Sequence, residues 1–410
     1  MQHNNKLLWA ILIGALAGIF SGWFFGHAMQ SVAWVGKLFL NLLMLTIIPL
    51  IVAAVITGIT SLGDVRKLGK LGGFTVLYYL STTAIAVLVG LVIVNIIQPG
   101  IGISELSDII PDKVLGNEKT GIEDIVDSLI KPNLVAAAAE SQLLPIILFC
   151  LAFATALTTI GDKGKTVIHF FEGLNDVMMK LVIWIMYLSP IGIFALIASK
   201  LGATGGGEAF WQEMSSVGWY ILTVIIGLAI HAIILLIILM TFSRRGRDYV
   251  INMLRALLMA FGTASSAATL PLTMECAIEA KVDKRAVKFV LPLGATINMD
   301  GTALYEAVAV MFIAQAYGFD LGVTQQAIIF VTATFAAIGA AAIPSAGLVT
   351  MIIVLTAVGL PIEGIGLLLA IDWFLDRIRT TVNVWGDSVG AAVIERLLID
   401  SNQSVTSKSS

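Results

Sequence analysis

The chain has 410 residues, 58% of them hydrophobic and only 12% charged, with a mean hydropathy of +0.96 and a formal net charge of -3. Soluble domains carry about twice that charged fraction, and a slightly acidic chain has no electrostatic footprint for nucleic acid. Cys150 and Cys276 lie far apart in apolar runs, so no disulfide framework is indicated.

Ten apolar segments follow in order: 7–26, 34–60, 72–98, 134–160, 168–198, 217–242, 249–280, 286–315, 322–360 and 362–394. A hydrocarbon core about 30 Å thick takes about 20 residues of helix, so the chain reads as polytopic in the bilayer. The first segment, LLWAILIGALAGIFSGWFFG, is too long for a signal-peptide core and no small-residue cleavage site follows it, so it reads as a span. Lys and Arg in short loops set orientation. Lys6 precedes the first span, and Arg66, Lys67 and Lys70 follow the second. The loop 99–133 is net acidic, Lys163 and Lys165 come next, then Glu208 and Glu213, then SRRGR at 243–247. Basic and non-basic loops alternate, which puts the N-terminus in the cytoplasm and six spans before residue 244.

The alternation then fails. Lys281, Lys284, Arg285 and Lys288 make the loop after 249–280 basic too, so both ends of that segment face the cytoplasm and it enters and returns. Segment 322–360 has no base at either end and reads as a second hairpin, entering from outside. FGTASSAATLP (261–271) and AAIGAAAIPSAG (336–347) supply the turns. Non-helical backbone at that depth occurs only where protein or a cavity surrounds it. The expected fold is all-α: eight transmembrane helices plus two re-entrant hairpins, each followed by a charged span. That is an inverted repeat, the architecture of a secondary transporter with a midplane site. The alternative, a plain ten-span bundle, needs two basic loops on the wrong side.

The last segment contains DWFLDRIRTTVNVWGD. At 100° per residue, Asp372, Asp376, Arg379, Asn383 and Asp387 fall within roughly 80° of one another, and Arg377 points elsewhere. Each such Asp or Arg at a helix centre costs about 2.5–3.5 kcal/mol on insertion scales, so the stripe faces protein, water or ions. A salt-bridge network that merely fixes packing is the plain alternative, and buried ion pairs are poor stabilisers. The preceding span carries GATINMDGTALYEA, where Gly294 and Gly301 allow a helix break. Freed carbonyls, the Asn298 side chain and Asp300 are hard oxygen donors suited to an alkali cation. Asp300 and Asp387 are the expected charge partners of Na⁺. Glu306 stands apart, and a buried carboxyl without a cationic partner favours its protonated form, so it is a candidate proton carrier. Asp376 suits an ammonium, and Arg379 a side-chain carboxylate, which it can grip with two N–H groups. Ser265 and Ser266, with their backbone N–H groups, suit an α-carboxylate. The chemistry reads as an acidic amino acid.

In TASSAATLP, GATINMDGTALYEA, IPSAGLVTM and DWFLDRIRTTVNVWGDS the chain resembles the dicarboxylate/amino acid:cation symporters, which include the animal excitatory amino acid transporters. The likeness runs from the first span to about residue 396. It implies a homotrimer in the plasma (cell inner) membrane, with both termini cytoplasmic and an elevator mode. Scaffold spans would occupy 1–71 and 134–216. A transport domain would comprise span 3, within 72–133, and 217–398, and 399–410 would be a disordered tail. By motif match, Asp376 would hold the ammonium and Arg379 the side-chain carboxylate. Thr302, Thr380 and Asn383 would make further substrate contacts. Ser265 and Ser266 would lie at the first hairpin tip, and Ile343 to Gly347 in the outer gate. One Na⁺ site would use Gly294, Asn298, Asn383 and Asp387. A second would use Tyr79, Thr82, Thr83, Asn298 and Asp300. A third would use carbonyls of Thr296 and of Ala337, Ile338 and Ala340. Glu306 matches a glutamate linked in animal members to H⁺ and K⁺ coupling. Arg377 matches members whose arginine sits on the last helix rather than at the first hairpin, where this chain has Ala264. Ala267, Ala337 and Ala342 stand where serine, serine and glycine are common.

The rival readings are a C4-dicarboxylate or neutral amino acid:cation symporter of the same fold. The dicarboxylate carriers lack a carboxylate at position 376, and a neutral substrate leaves Arg379 unpaired. An intramembrane aspartyl enzyme lacks a pairing motif, so a non-enzyme is expected. A dedicated ion channel makes less use of an Asp/Arg pair. GDKGKT (161–166) has the wrong glycine spacing for a phosphate loop. His231 reads as a hydrogen-bonded structural residue, and Asn402-Gln-Ser404 as a silent sequon.

Overall fold

The computed structural model describes residues 2–61, 69–101, 130–140, 142–203, 207–339 and 346–406, all as helices and short connections. In chain order the α-helices are α1 (Gln2–Phe25), α2 (Ala33–Thr60), α3 (Gly69–Ile97), α4 (Leu134–Ala139), α5 (Leu143–Thr159), α6 (Lys165–Met186), α7 (Ser189–Ala203) and α8 (Gly207–Ile238). They continue as α9 (Arg247–Thr263), α10 (Ser266–Glu279), α11 (Lys284–Ile297), α12 (Asp300–Ala316), α13 (Val323–Gly339), α14 (Ala346–Ala357) and α15 (Ile365–Thr406). Trp9–Thr60, Leu71–Ile97, Met214–Ser243 and Lys284–Ala316 are long and apolar enough to cross a bilayer.

Two expected segments are divided. Segment 168–198 breaks at Tyr187 and Leu188, where α6 and α7 meet at 55°. Pro190 fits the corner, because a proline ring is accommodated without strain in the first turn of a helix, here α7. Segment 134–160 is split into α4 and α5, and the Asn133 side chain caps α4 by accepting from the Val135 and Ala136 N–H groups. At the other end of the chain α15 runs to Thr406, into the stretch expected to be a disordered tail. Residues 391–406 hold no Gly or Pro, so nothing stops a helix that is already nucleated.

The helices pack in two groups. In the first, α1 lies along α7, and α2 packs on α5, α6 and α7. Gly14, Gly18 and Gly22, four residues apart, face α7, and a methyl group on any of them would strike its backbone or side chains. This is the small-residue seam by which helices approach in lipid. The other face of α1 exposes Trp9, Ile13, Leu16, Phe20 and Trp23, as a lipid-facing surface should. In the second group α12 is the axis. Sixteen of its 17 residues are buried, Gln315 being the exception. Helices α3, α8, α13, α14 and α15 surround it. A helix buried on every side needs no polar face. Helix α15 packs on α8, α9, α11 and α12, α9 pairs with α10, and α13 pairs with α14. The groups meet where α7 touches α15 and where α13 and α14 touch α2.

Candidate functional site

The polar stripe survives because α15 is one unbroken helix through it. Arg379 is completely buried. Its Nη2 donates to Asp376 Oδ1 at 2.8 Å and lies 2.9 Å from Asp372 Oδ1. Its guanidinium carbon stands 3.9 Å over the Tyr305 ring of α12, an attraction that strengthens where water is absent. Nε and Nη1 have no hydrogen-bond partner. Buried donors left unpaired are expensive, so the arginine is half satisfied, with two N–H groups available to an incoming acceptor. Asp376 differs from it in keeping 29% of its side chain exposed, so the carboxylate is the accessible member of the pair. The backbone of Gly347 in α14 lies against the guanidinium, and a methyl group there would run into Nη1. Gly347→Ala is therefore expected to destabilise the protein by about 1–3 kcal/mol, the usual cost of overpacking. A thermal melt checks this, and an unchanged Tm would mean that the guanidinium swings aside freely.

The helix break lies between the two glycines noted in the sequence. Helix α11 ends at Ile297, Asn298 and Met299 leave helical geometry, and α12 starts at Asp300. Its two sides are sewn to α15 and α3. Asn298 Nδ2 donates to Asp387 Oδ1 at 3.0 Å. Asn383 Oδ1 accepts from the Gly301 N–H at 2.7 Å, and its Nδ2 donates to Thr302 Oγ1 at 3.3 Å. Asp300 is fully buried, and its Oδ1 accepts from Thr83 Oγ1 at 2.8 Å and Thr82 Oγ1 at 3.3 Å. Tyr79 donates its hydroxyl to the Val290 carbonyl at 2.6 Å. A methyl group at Gly294 would collide with Asp387 Oδ1 and Tyr79 Oη, so the backbone closes on that carboxylate. Two carboxylates, an amide oxygen, hydroxyls and the last carbonyls of a broken helix form an all-oxygen set, which fits a hard monovalent cation.

At the first hairpin, Ala264 adopts φ 49° and ends α9, and Ser265 caps α10 by accepting from the Ala268 N–H at 3.2 Å. Ser266 is buried beside it. Arg377 points away from the stripe, as its helical position requires, and Nη1 donates to the carbonyls of Phe261 and Gly262 at 2.9 and 2.7 Å. The guanidinium thus reaches the end of α9 next to Ala264, where the hairpin tip has no arginine of its own. Glu306 is fully buried on α12, and no hydrogen bond to either of its oxygens is found among the described residues. Thr380 is buried on α15, Ala337 and Ile338 are buried near the end of α13, and Thr296 Oγ1 donates to the Leu293 carbonyl. Ala340, Ala342 and Ile343 lie outside the described residues.

His231 of α8 is buried and hydrogen-bonded, as its sequence context suggests, and the structure identifies its partner. Its Nε2 lies 3.1 Å from Asp300 Oδ2, both side chains are fully buried, and Nδ1 has no partner. The available signal was a lone polar residue in VIIGLAIHAIILLII, which the bilayer permits only where it meets a partner. Tyr305 and the Asp372 contact to Arg379 were not assigned; the first lies in the quoted TALYE run, one helix away from its cation.

Comparison with known proteins gives matches along most of the chain. The model of the sodium:dicarboxylate symporter family matches residues 7–397. The chain is 40% identical to excitatory amino acid transporter 1 of Ambystoma tigrinum, over 97% of this chain and 84% of that protein. It is 39% identical to excitatory amino acid transporter 3 of Mus musculus, over 96% and 86%. It is 38% identical to the putative sodium-dependent excitatory amino acid transporter glt-4 of Caenorhabditis elegans, over 98% and 92%.

Proposed function

The chain belongs to the sodium:dicarboxylate symporter family, and from that premise we propose that it is a secondary active symporter for L-glutamate and L-aspartate. Uptake is coupled to inward Na⁺, with H⁺ carried in and K⁺ out. The relatives bear the name of excitatory amino acid transporters. The observation that carries the substrate reading is the buried Arg379, half satisfied by Asp376 and open on Nε and Nη1. Those donors take the side-chain carboxylate of the substrate, Asp376 takes its ammonium, and Ser265, Ser266 and the N-terminus of α10 take its α-carboxylate. Thr302, Thr380 and Asn383 contact the remaining polar atoms. A neutral substrate leaves the guanidinium unsatisfied, and a substrate without an ammonium leaves Asp376 facing a second anion.

The cation reading rests on charge. Asp300 and Asp387 are both buried, on hydroxyls, an amide and the His231 ring, with no Lys or Arg contact among the described residues. Two uncompensated carboxylates would make movement through a low-dielectric region prohibitive. Na⁺ at Tyr79, Thr82, Thr83, Asn298 and Asp300, and at Gly294, Asn298, Asn383 and Asp387, neutralises them. The carbonyls of Thr296 and the end of α13 form a third place. Glu306 carries the proton, and Arg377, which braces the first hairpin, belongs to the K⁺-dependent return.

The architecture we propose is eight spans and two re-entrant hairpins, α9–α10 and α13–α14. Its support is length. At 1.5 Å per residue α9, α10 and α14, with 17, 14 and 12 residues, reach only about 18–25 Å, short of the ~30 Å core. The group around α12 and α15, with α3 and α8, is the moving transport domain. The group of α1, α2 and α5–α7 is the scaffold of a homotrimer in the plasma membrane, with cytoplasmic termini.

The test is uptake of radiolabelled L-aspartate, L-glutamate and succinate into proteoliposomes, with Na⁺ and pH gradients imposed separately and internal K⁺ present or absent. Na⁺-dependent uptake accelerated by internal K⁺ is expected. Uptake of succinate alone overturns the role of Asp376, and uptake on a pH gradient alone overturns the Na⁺ sites. In the same assay Glu306→Gln is expected to retain Na⁺ dependence while losing both pH dependence and acceleration by K⁺.

A further inference from the structure

The base of the first hairpin holds a charged junction far from the substrate stripe. Helix α8 ends in a π turn, Leu239–Ser243, and Arg244 then adopts φ 56°. This corner delivers Arg245 to the opposite end of the hairpin from Ser265. Arg245 Nη1 donates to the Ala280 carbonyl, and Nη2 donates to the Lys281 carbonyl at 3.0 Å and to Glu395 Oε2 at 2.6 Å. Glu395 uses its other oxygen, Oε1, to accept from the Asp283 N–H at 2.7 Å. Asp283 itself caps α11 through the Arg285 N–H. The arginine also lies over the Tyr249 ring, 5.5 Å from its centroid, and Tyr249 donates to the Ser388 carbonyl of α15. Ser388 and Glu395 are seven residues apart, on one face of α15. The pair is nearly dry, with 22% and 12% of the two side chains exposed.

Each charge sits where a helix end wants it. The guanidinium lies on the Ala280 and Lys281 carbonyls just past the end of α10, and the carboxylate accepts from the N–H of Asp283, the N-cap of α11. One ion pair therefore joins the corner before α9, the end of α10, the start of α11 and the body of α15. Helix α10 carries Ser265 and Ser266 at its far end, and α11 carries Gly294 and Asn298 at its own. Each has 14 residues, about 21 Å, with one internal proline (Pro271 and Pro292), and each runs from this base to the site. Their axial register against α15 is set at this base and read out at the substrate and cation groups.

We propose that Arg245 and Glu395 are positioning residues: their ion pair fixes α10 and α11 in register with α15, so that hairpin tip and helix break meet the Asp376–Asp387 stripe. The inference rests on the transport reading above for its functional readout. The test uses the purified full chain with Arg245→Met, Glu395→Ala and the double variant. For Na⁺-driven L-aspartate uptake, each single variant is expected to raise KM roughly tenfold, inside the cost of a misplacement of about 1 Å, with Vmax little changed. A second readout needs no transport. In a background with Cys150→Ala and Cys276→Ala, Ser265→Cys is expected to react several-fold faster with a maleimide once the clamp is cut. The double variant is expected to be no worse than either single one, as for residues that act as a unit. KM and labelling within twofold of the parent, or a loss of Vmax alone, overturn the proposal, as do effects that multiply in the double variant. Should these variants fail to fold, Arg245→Lys and Glu395→Gln, which keep side-chain length, decide by the same readouts. If the parent takes up no acidic amino acid, the transport reading fails, and maleimide labelling of the Ser265→Cys variant alone judges the clamp.

Discussion

Arg379→Ala is expected to abolish the uptake of L-aspartate and L-glutamate. The substitution removes the guanidinium that α15 turns into its polar stripe, and with it the N–H pair that a side-chain carboxylate would meet. Removing one partner of a buried, hydrogen-bonded charge pair costs about 2–5 kcal/mol, so uptake at a fixed substrate concentration should fall by roughly 30-fold to several thousand-fold. The variant should also lose stability, because Asp372 and Asp376 keep their burial without a cation, and Tyr305 loses the charge above its ring. Uptake of aspartate and of serine, with a melting curve for each protein, separates the two effects. Aspartate KM within threefold of the parent would sink the substrate assignment. A fall in aspartate uptake with a gain in serine uptake would place the guanidinium at the side-chain end of the substrate.

Asp300→Asn is expected to uncouple the protein from Na⁺. The substitution keeps the shape and removes one negative charge, and the Thr82, Thr83 and His231 contacts all lose the carboxylate they converge on. A bound ion stabilises the folded state by mass action, about 2.7 kcal/mol at a hundredfold excess over Kd. The parent should therefore melt higher in NaCl than in choline chloride at equal ionic strength, and the variant should lose most of that difference. Half-saturation of uptake by Na⁺ should shift upward by at least about tenfold, the worth of some 1.4 kcal/mol. An undiminished Na⁺-dependent rise in Tm would remove Asp300 from the cation sites, whatever happened to transport.

What could be read from the sequence was whatever a single helix encodes. The stripe from Asp372 to Asp387 follows from 100° per residue, and the break near Asp300 follows from Gly294 and Gly301 around an Asn and an Asp. The corner at Pro190 is equally local, but hydropathy stays high across it and masks it. Contacts between distant parts of the chain left no such trace. Thr83 meets Asp300 across 217 residues and Arg245 meets Glu395 across 150, and no spacing rule links them. The family resemblance supplied Thr82 and Thr83. It did not supply His231 or the Glu395 junction. His231 was legible as a buried, hydrogen-bonded residue, and only the fold shows that its partner is Asp300, the most buried carboxylate of the break.

The glycine seam of α1 has a consequence for how the protein is made. Gly14, Gly18 and Gly22 are shaped to receive Pro190 and Phe194, Ile197, Leu201 of α7. Translation at about 5–20 residues per second brings Pro190 out of the ribosome roughly 10–35 s after Gly14. For that interval the first helix rests in the membrane with its seam uncovered. A seam of small residues is a docking surface for any helix in lipid, so until α7 arrives it is open to other spans as well. A bulkier residue there would both clash in the finished protein and close the seam to α7.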